Sequence, residues 1–131
     1  MNYATPKNEI IFDVPNQLIN ESLGFDFMPR ATCYCSSNYD FIVKLIDIKP
    51  IERHIGESGG FRDSKTILSL LTGFRYDSII PPIQVYNYDV PNGYLYNIKD
   101  GYHRFMLSIV AKFTHIPVTM CNTKPIDIFN L

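Results

Sequence analysis

The segment Asp100-Gly101-Tyr102-His103-Arg104 combines residue types that suit the binding of a phosphate group. A glycine lets the backbone approach a ligand closely and adopt φ values that other residues avoid. An arginine offers a planar fork of donors that matches phosphate oxygens. A histidine adds a donor or a proton-transfer group near neutral pH. We therefore predict that Arg104, His103 and the backbone from Gly101 through Tyr102 to His103 contact phosphate.

The pattern around this segment predicts a strand that runs directly into a helix. Tyr94 to Ile98 alternates as a strand and pairs with Ile83 to Tyr88 through the turn signal Pro91-Asn92-Gly93. A helix is predicted from about Tyr102 to Phe113, because its apolar residues recur on one helical face. The first four N–H groups of a helix lack partners within it, and the helix dipole adds positive charge there. Such a junction is typical of an anion site.

A second predicted helix carries a similar charge pattern at its start. Asp63 or Ser64 can act as its N-cap, and Gly73 is predicted to end it. Cations in a first helical turn oppose the dipole and cost a few tenths of a kcal/mol each. Basic residues nevertheless flank both helix starts, so we expect an anion between the two N-termini. These residues are Arg62 and Lys65 at one helix, and His103 and Arg104 at the other.

The remaining elements indicate a single compact domain of the mixed α/β or α+β class. Phe41 to Ile48 is predicted to form one strand, which ends before Lys49-Pro50. A further strand is predicted from His115 to Met120. Residues 1 to 40 follow no clear period, with a short strand predicted at Glu9 to Val14 and helical turns near Gln17 to Leu23.

Composition narrows the classes of function. A net charge of −1 gives no overall attraction to nucleic acid or to anionic membranes. The three cysteines, Cys33, Cys35 and Cys121, predict neither a complete disulfide framework nor a metal site. The first ten residues lack a signal peptide, and no apolar run reaches the roughly 18 residues of a membrane span. We expect a soluble, cytoplasmic protein without a membrane partner.

Residues 41 to 120 resemble the ParB/sulfiredoxin superfamily. The resemblance implies an α+β fold with a mixed sheet, in which Gly101, His103 and Arg104 hold the phosphates of a nucleotide. It places further nucleotide contacts at Arg62, Ser64 and Lys65. Outside residues 41 to 120, the apolar side chains of residues 1 to 40 predict an N-terminal extension packed on the domain, and residues 121 to 131 are predicted to form a C-terminal extension. The features that carry the resemblance, in order, are Ile46-Asp47-Ile48-Lys49-Pro50, Pro81-Pro82-Ile83-Gln84-Val85, Asn92-Gly93, Asp100-Gly101-Tyr102-His103-Arg104-Phe105 and Thr114-His115-Ile116-Pro117-Val118.

Three branches of that superfamily imply different activities. Sulfiredoxins have a nucleophilic cysteine where this chain has Tyr102, so sulfinic-acid reduction is not expected. ParB itself is a CTP-dependent DNA clamp that needs a helix-turn-helix module, and only about ten residues follow the last predicted strand. Free-serine kinases use a glutamate as general base and an aspartate near the phosphates, which Glu52 and Asp100 match in type and approximate place.

The leading hypothesis is a nucleotide-binding domain, with a phosphotransferase or NTPase activity left open. It would use ATP or CTP with Mg²⁺ and a small hydroxyl substrate. The candidate catalytic residues are Glu52, Asp100 and His103, with Asp100 also the candidate Mg²⁺ ligand. Two alternatives remain open at this point: a DNA-associated regulatory protein of the ParB type, and a non-catalytic interaction module on the same fold.

Overall fold

A computed structural model describes residues 2–51, 64–87 and 93–121 of the chain. Glu52 and Arg62 lie outside these described residues, as do Asp63, the Pro91-Asn92 part of the turn signal and residues 122–131. The predictions made for them stay untested.

The described residues form an α+β fold, as the sequence predicts at the level of fold class. Two short N-terminal strands pair antiparallel with one another. Five more strands form a mixed sheet in the order β3-β7-β5-β6-β4, in which β3–β7 and β5–β6 are antiparallel and β5–β7 and β4–β6 are parallel. The elements are β1 (Asn2–Ala4), β2 (Ile11–Asp13), α1 (Asn16–Ser22), β3 (Phe41–Lys44), a 3-10 helix (Leu45–Asp47), β4 (Ile48–Lys49), α2 (Ser64–Arg75), β5 (Ile83–Asn87), β6 (Tyr96–Asp100), α3 (Tyr102–Val110) and β7 (His115–Met120).

The prediction of one continuous strand from Phe41 to Ile48 is wrong. A 3-10 helix at Leu45–Asp47 divides the run, and its two halves form the opposite edges of the sheet. In a flat sheet of five strands those edges would lie about 19 Å apart, at about 4.8 Å per strand. The four-residue step from Lys44 to Ile48 spans at most about 14 Å. The sheet must therefore curl, and buried Leu45 lies at the corner.

Both long helices end at positions that the sequence did not predict. Helix α2 passes through Gly73 and ends at Arg75, after which Asp77 adopts a φ of 55° and the Ser78 N–H donates to the Gly73 carbonyl over 2.9 Å. Helix α3 ends at Val110 rather than near Phe113. There Lys112 adopts a φ of 65°, and the Phe113 N–H donates to the Ser108 carbonyl over 3.0 Å. Both ends are left-handed caps of the Schellman type.

Gly73 therefore has a packing role inside α2. A Cβ built on Gly73 would lie 2.9 Å from Cδ1 of Ile80, so the glycine lets the segment after the helix fold back against it. A glycine near the end of an apolar helical pattern can either end the helix or allow another segment to pack closely against it. Here the close packing of Ile80 explains the glycine.

One hydrophobic core unites the N-terminal residues with the five-stranded sheet. Phe12, Val14 and Tyr34 are buried in the same cluster as Ile83 of β5 and Phe105 of α3. No helix within the described ranges is long and apolar enough to cross a membrane.

Candidate phosphate-binding site

The junction between β6 and α3 has little room for a side chain. Strand β6 runs to Asp100, two residues beyond the predicted Ile98, and Gly101 then turns the chain into α3 with φ 103° and ψ 26°. A Cβ on Gly101 would lie 2.5 Å from Cγ2 of Ile83 and 3.0 Å from its Cα. Gly101 has no side chain to cap the helix, and its carbonyl accepts the first helical hydrogen bond from Phe105 N–H at 3.0 Å. The chain therefore enters α3 through a residue that has no room for a side chain.

A pocket of about 640 Å³ opens at this junction and also reaches the start of α2. Residues from the first turns of both helices line this pocket. In their described first turns, neither α2 nor α3 carries an acidic residue. The lining residues are Ile51, Lys65, Thr66, Ser69, Leu70, Ile98, Lys99, Asp100, Gly101, Tyr102, His103 and Arg104.

Cations outnumber carboxylates among the described residues of this lining. Lys65, Lys99 and Arg104 carry positive charge, and His103 adds an imidazole. Asp100 is the one carboxylate among these lining residues, and its side chain is 71% exposed, at a distance of 3.7 Å from Nη2 of Arg104. Such a set of charges favours an anionic ligand.

Arg104 has a structural role beside its predicted one. Its Nη1 donates to the carbonyl oxygens of Pro81 and Pro82 over 3.1 and 3.0 Å. These bonds tie the first turn of α3 to the residues that precede β5. The guanidinium, only 19% exposed as a side chain, is held with one edge on backbone carbonyls and Nη2 toward Asp100.

The remaining predicted ligands differ in what they offer. Tyr102 is 6% exposed and its ring belongs to the core, so its contribution to the pocket is mainly backbone. His103 is half-buried, and its ring meets the Tyr102 ring edge to face, with centroids 6.2 Å apart. Ser64 is the exposed first residue of α2 and does not line the pocket, so the nucleotide contact predicted for it is not supported by this geometry.

Sequence reasoning missed several residues of the pocket. Thr66, Ser69 and Leu70 lie on the face of α2 that continues from Lys65. Their spacing of i, i+3 and i+4, counted from Thr66, was the available signal. Ile51 and Leu70, which are partly buried against the core, form an apolar wall. Lys99 was overlooked because its strand was predicted to end at Ile98.

The described residues do not by themselves supply a full set of metal ligands. Within residues 2–51, 64–87 and 93–121, no three His, Cys, Asp or Glu side chains come together to hold one. Mg²⁺ commonly takes one or two carboxylates, substrate phosphates and waters. Asp100, exposed at the pocket, fits that pattern as a single protein ligand.

Comparison of the chain with protein-family models, with curated protein sequences and with solved structures finds no match. The resemblance to the ParB/sulfiredoxin superfamily therefore stays a prediction made from the residues quoted above.

Proposed function

We propose that the pocket between the N-termini of α2 and α3 binds the phosphate groups of a nucleotide. The observation that carries the proposal is the convergence of two helix starts, both basic in charge, on one pocket of about 640 Å³. Small-molecule sites usually measure about 300–1,000 Å³ and combine apolar walls with a few polar groups. Leu70 and Ile51 supply apolar lining here, and Lys65, Lys99 and Arg104 supply polar groups.

The placement of charge supports an anionic ligand. A cation at a helix N-terminus lowers stability by about 0.3–1 kcal/mol. Lys65 in the first turn of α2 and His103 in the first turn of α3 both incur this cost, the histidine when protonated. A phosphate between the two turns would offset this repulsion by attracting both cations, and it would also accept hydrogen bonds from backbone N–H groups.

On this proposal Asp100 holds Mg²⁺ together with phosphate oxygens, and Arg104 offers its Nη2 edge to the phosphate. A phosphotransferase or NTPase would use the same arrangement, because such enzymes mainly position groups and stabilise charge. Release of inorganic phosphate from ATP or CTP, measured with and without Mg²⁺, tests the NTPase activity. Formation of ADP or CDP that depends on an added small hydroxyl compound, without matching release of phosphate, tests the phosphotransferase activity.

The test of binding is a thermal-shift series with pyrophosphate, ATP, ADP, CTP and GTP, each with and without Mg²⁺. A ligand present at 100 times its Kd should stabilise the protein by about 2.7 kcal/mol. No shift with any of these compounds would overturn the proposal.

The variant Lys65→Glu sharpens this test because it separates stability from binding. We expect the unliganded variant to gain up to about 1 kcal/mol in stability, since an acidic residue suits a helix N-terminus. We expect its affinity for pyrophosphate to fall by at least about tenfold, or about 1.4 kcal/mol, through repulsion of the anion. Urea unfolding and titration calorimetry measure the two effects.

The matched control is Lys44→Glu, which makes the same change of charge at an exposed residue of β3 that does not line this pocket. Its affinity for pyrophosphate should stay within about twofold of the parent, the scale of a long-range screened interaction. Equal losses in the two variants would mean that net charge, and not the pocket, governs binding.

A further inference from the structure

The N-terminal residues contribute a strap, defined here as residues 30–36, that is hydrogen-bonded to the start of β7 and to the segment before β5. The Thr32 carbonyl accepts the N–H groups of Thr114 and His115 over 3.1 and 2.9 Å. The Cys35 carbonyl accepts the N–H of Ile80 over 2.9 Å. The strap is thus fixed at one end to the start of β7 and at the other to the segment that precedes β5.

Tyr34, in the middle of the strap, reaches the same carbonyl that holds Arg104. The Tyr34 hydroxyl donates to the Pro81 oxygen over 2.7 Å, and Nη1 of Arg104 donates to that oxygen over 3.1 Å. A carbonyl oxygen has two lone pairs, so it can accept both donors when its orientation suits both. The shorter of the two bonds, from a side chain that is only 3% exposed, restrains where that oxygen points.

The Tyr34 side chain is itself fixed by packing. Its ring stacks on Phe74 of α2, with centroids 5.2 Å apart and an angle of 17° between the planes. The strap residue therefore couples α2, through the ring, to the Pro81 carbonyl, through the hydroxyl. Both helices that line the pocket are connected at this one side chain.

We infer that Tyr34 is a positioning residue for the phosphate site, acting on the Arg104 guanidinium through the Pro81 carbonyl. The inference rests on the proposed function, since it assigns to Arg104 a part in holding the anion. A guanidinium held in place before the ligand arrives loses less conformational freedom on binding, and this raises affinity. The N-terminal residues are then part of the binding site, although none of residues 30–36 lines the pocket.

The variant Tyr34→Phe removes the hydroxyl and keeps the ring that stacks on Phe74. The matched control is Tyr94→Phe, because Tyr94 is also buried, at 4% exposed, and its hydroxyl donates over 2.6 Å to Glu9, which is not part of the pocket. Both variants lose one buried hydroxyl hydrogen bond, so a purely structural effect should appear in both.

Two measurements at a temperature well below unfolding distinguish positioning from stability. The first is the affinity for pyrophosphate by titration calorimetry, which we expect Tyr34→Phe to weaken about fivefold, the effect of about one hydrogen bond. The second is the NMR signal of the Arg104 Nε–Hε group in the unliganded protein. The chain has five arginines, so one spectrum of Arg104→Lys assigns that signal.

We expect the Arg104 signal to move in Tyr34→Phe and to stay in place in Tyr94→Phe, with weaker binding only in the former. An unchanged signal and unchanged affinity in Tyr34→Phe would overturn the inference, even if that variant were less stable. Absence of pyrophosphate or nucleotide binding by the parent protein would instead overturn the proposed function. The Arg104 signal then decides by itself whether Tyr34 positions the guanidinium.

Discussion

Gly93 and Gly101 both have a positive φ, but they differ in the atoms that a side chain would meet. This difference predicts which of the two tolerates substitution. Gly93 has a φ of 84°, and among the described residues a Cβ there would meet the Nζ atom of Lys7 at 2.7 Å, the end of a flexible side chain. Gly101 has a φ of 103°, and its Cβ would press on both the side chain and the backbone of Ile83. The positive φ and the contact with Ile83 of β5 together require a glycine at the start of α3.

We expect Gly101→Ala to lower the free energy of unfolding by about 3 kcal/mol or more, since left-handed strain and a backbone clash add. Gly93→Ala should cost only about 1–2 kcal/mol, from the strain of its φ alone. Urea unfolding of both variants measures the difference. Similar losses would show that the contact with Ile83 relaxes easily.

At the scale of the element, helix ends were the least predictable feature. The apolar pattern of α3 continues to Phe113, so periodicity alone extends the helix to that residue. The chain instead turns at Lys112, because Phe113 can then bury its ring while its N–H reaches the Ser108 carbonyl. A lysine does not favour the left-handed conformation, so the sequence does not indicate that α3 ends here. The end of α3 depends on tertiary packing instead.

Lys112→Gly should stabilise the protein by about 0.5–1 kcal/mol, because glycine adopts a φ of 65° without the strain of a Cβ. Lys112→Ala keeps the strain and should have little effect. Thermal unfolding of the two variants in parallel measures this. A gain in Lys112→Ala equal to that in Lys112→Gly would point to the charge rather than the backbone.

Local patterns explain what could be predicted from the sequence, and long-range packing explains the rest. Gly101 to Arg104 could be recognised because a helix start is a local property of the chain. The shared use of Pro81 by Tyr34 and Arg104 joins residues far apart in sequence, and no spacing rule indicates it. The run from Phe41 to Ile48 indicates one strand because it is rich in β-branched and aliphatic residues throughout. The 3-10 helix that divides this run depends on strand pairing, because β3 pairs with β7 and β4 pairs with β6.

At the scale of the whole molecule, two buried tyrosines connect the N-terminal residues to the rest of the fold. Tyr34 bonds to the Pro81 carbonyl and Tyr94 to the Glu9 carboxylate. Burial raises the pKa of Tyr34. Burial, followed by the hydrogen bond to Glu9 and its charge, raises the pKa of Tyr94 to about 12. Both hydroxyls are therefore held in the protonated form when the protein is folded.

This predicts a loss of stability at alkaline pH. A tyrosine in the unfolded chain ionises near pH 10, below the pKa values in the folded protein. The stabilisation is therefore complete below pH 10 and decreases as pH rises toward 12. Urea unfolding at pH 8, 10 and 11 measures the slope. Tyr94→Phe should flatten it, and an identical slope in that variant would contradict the assignment to Tyr94.

The position of β3 in the sheet limits when the sheet can form during synthesis of the protein. Phe41 pairs with Val118, so β3 emerges from the ribosome long before β7, its neighbour in the sheet. The adjoining β4 pairs with β6, which is also made later. Until β6 and β7 are made, the apolar run from Phe41 to Ile48 lacks the strands that it pairs with in the folded protein. It is then exposed to non-native pairing with other strands. Folding of the sheet is therefore expected to follow, and not accompany, synthesis of its first strands.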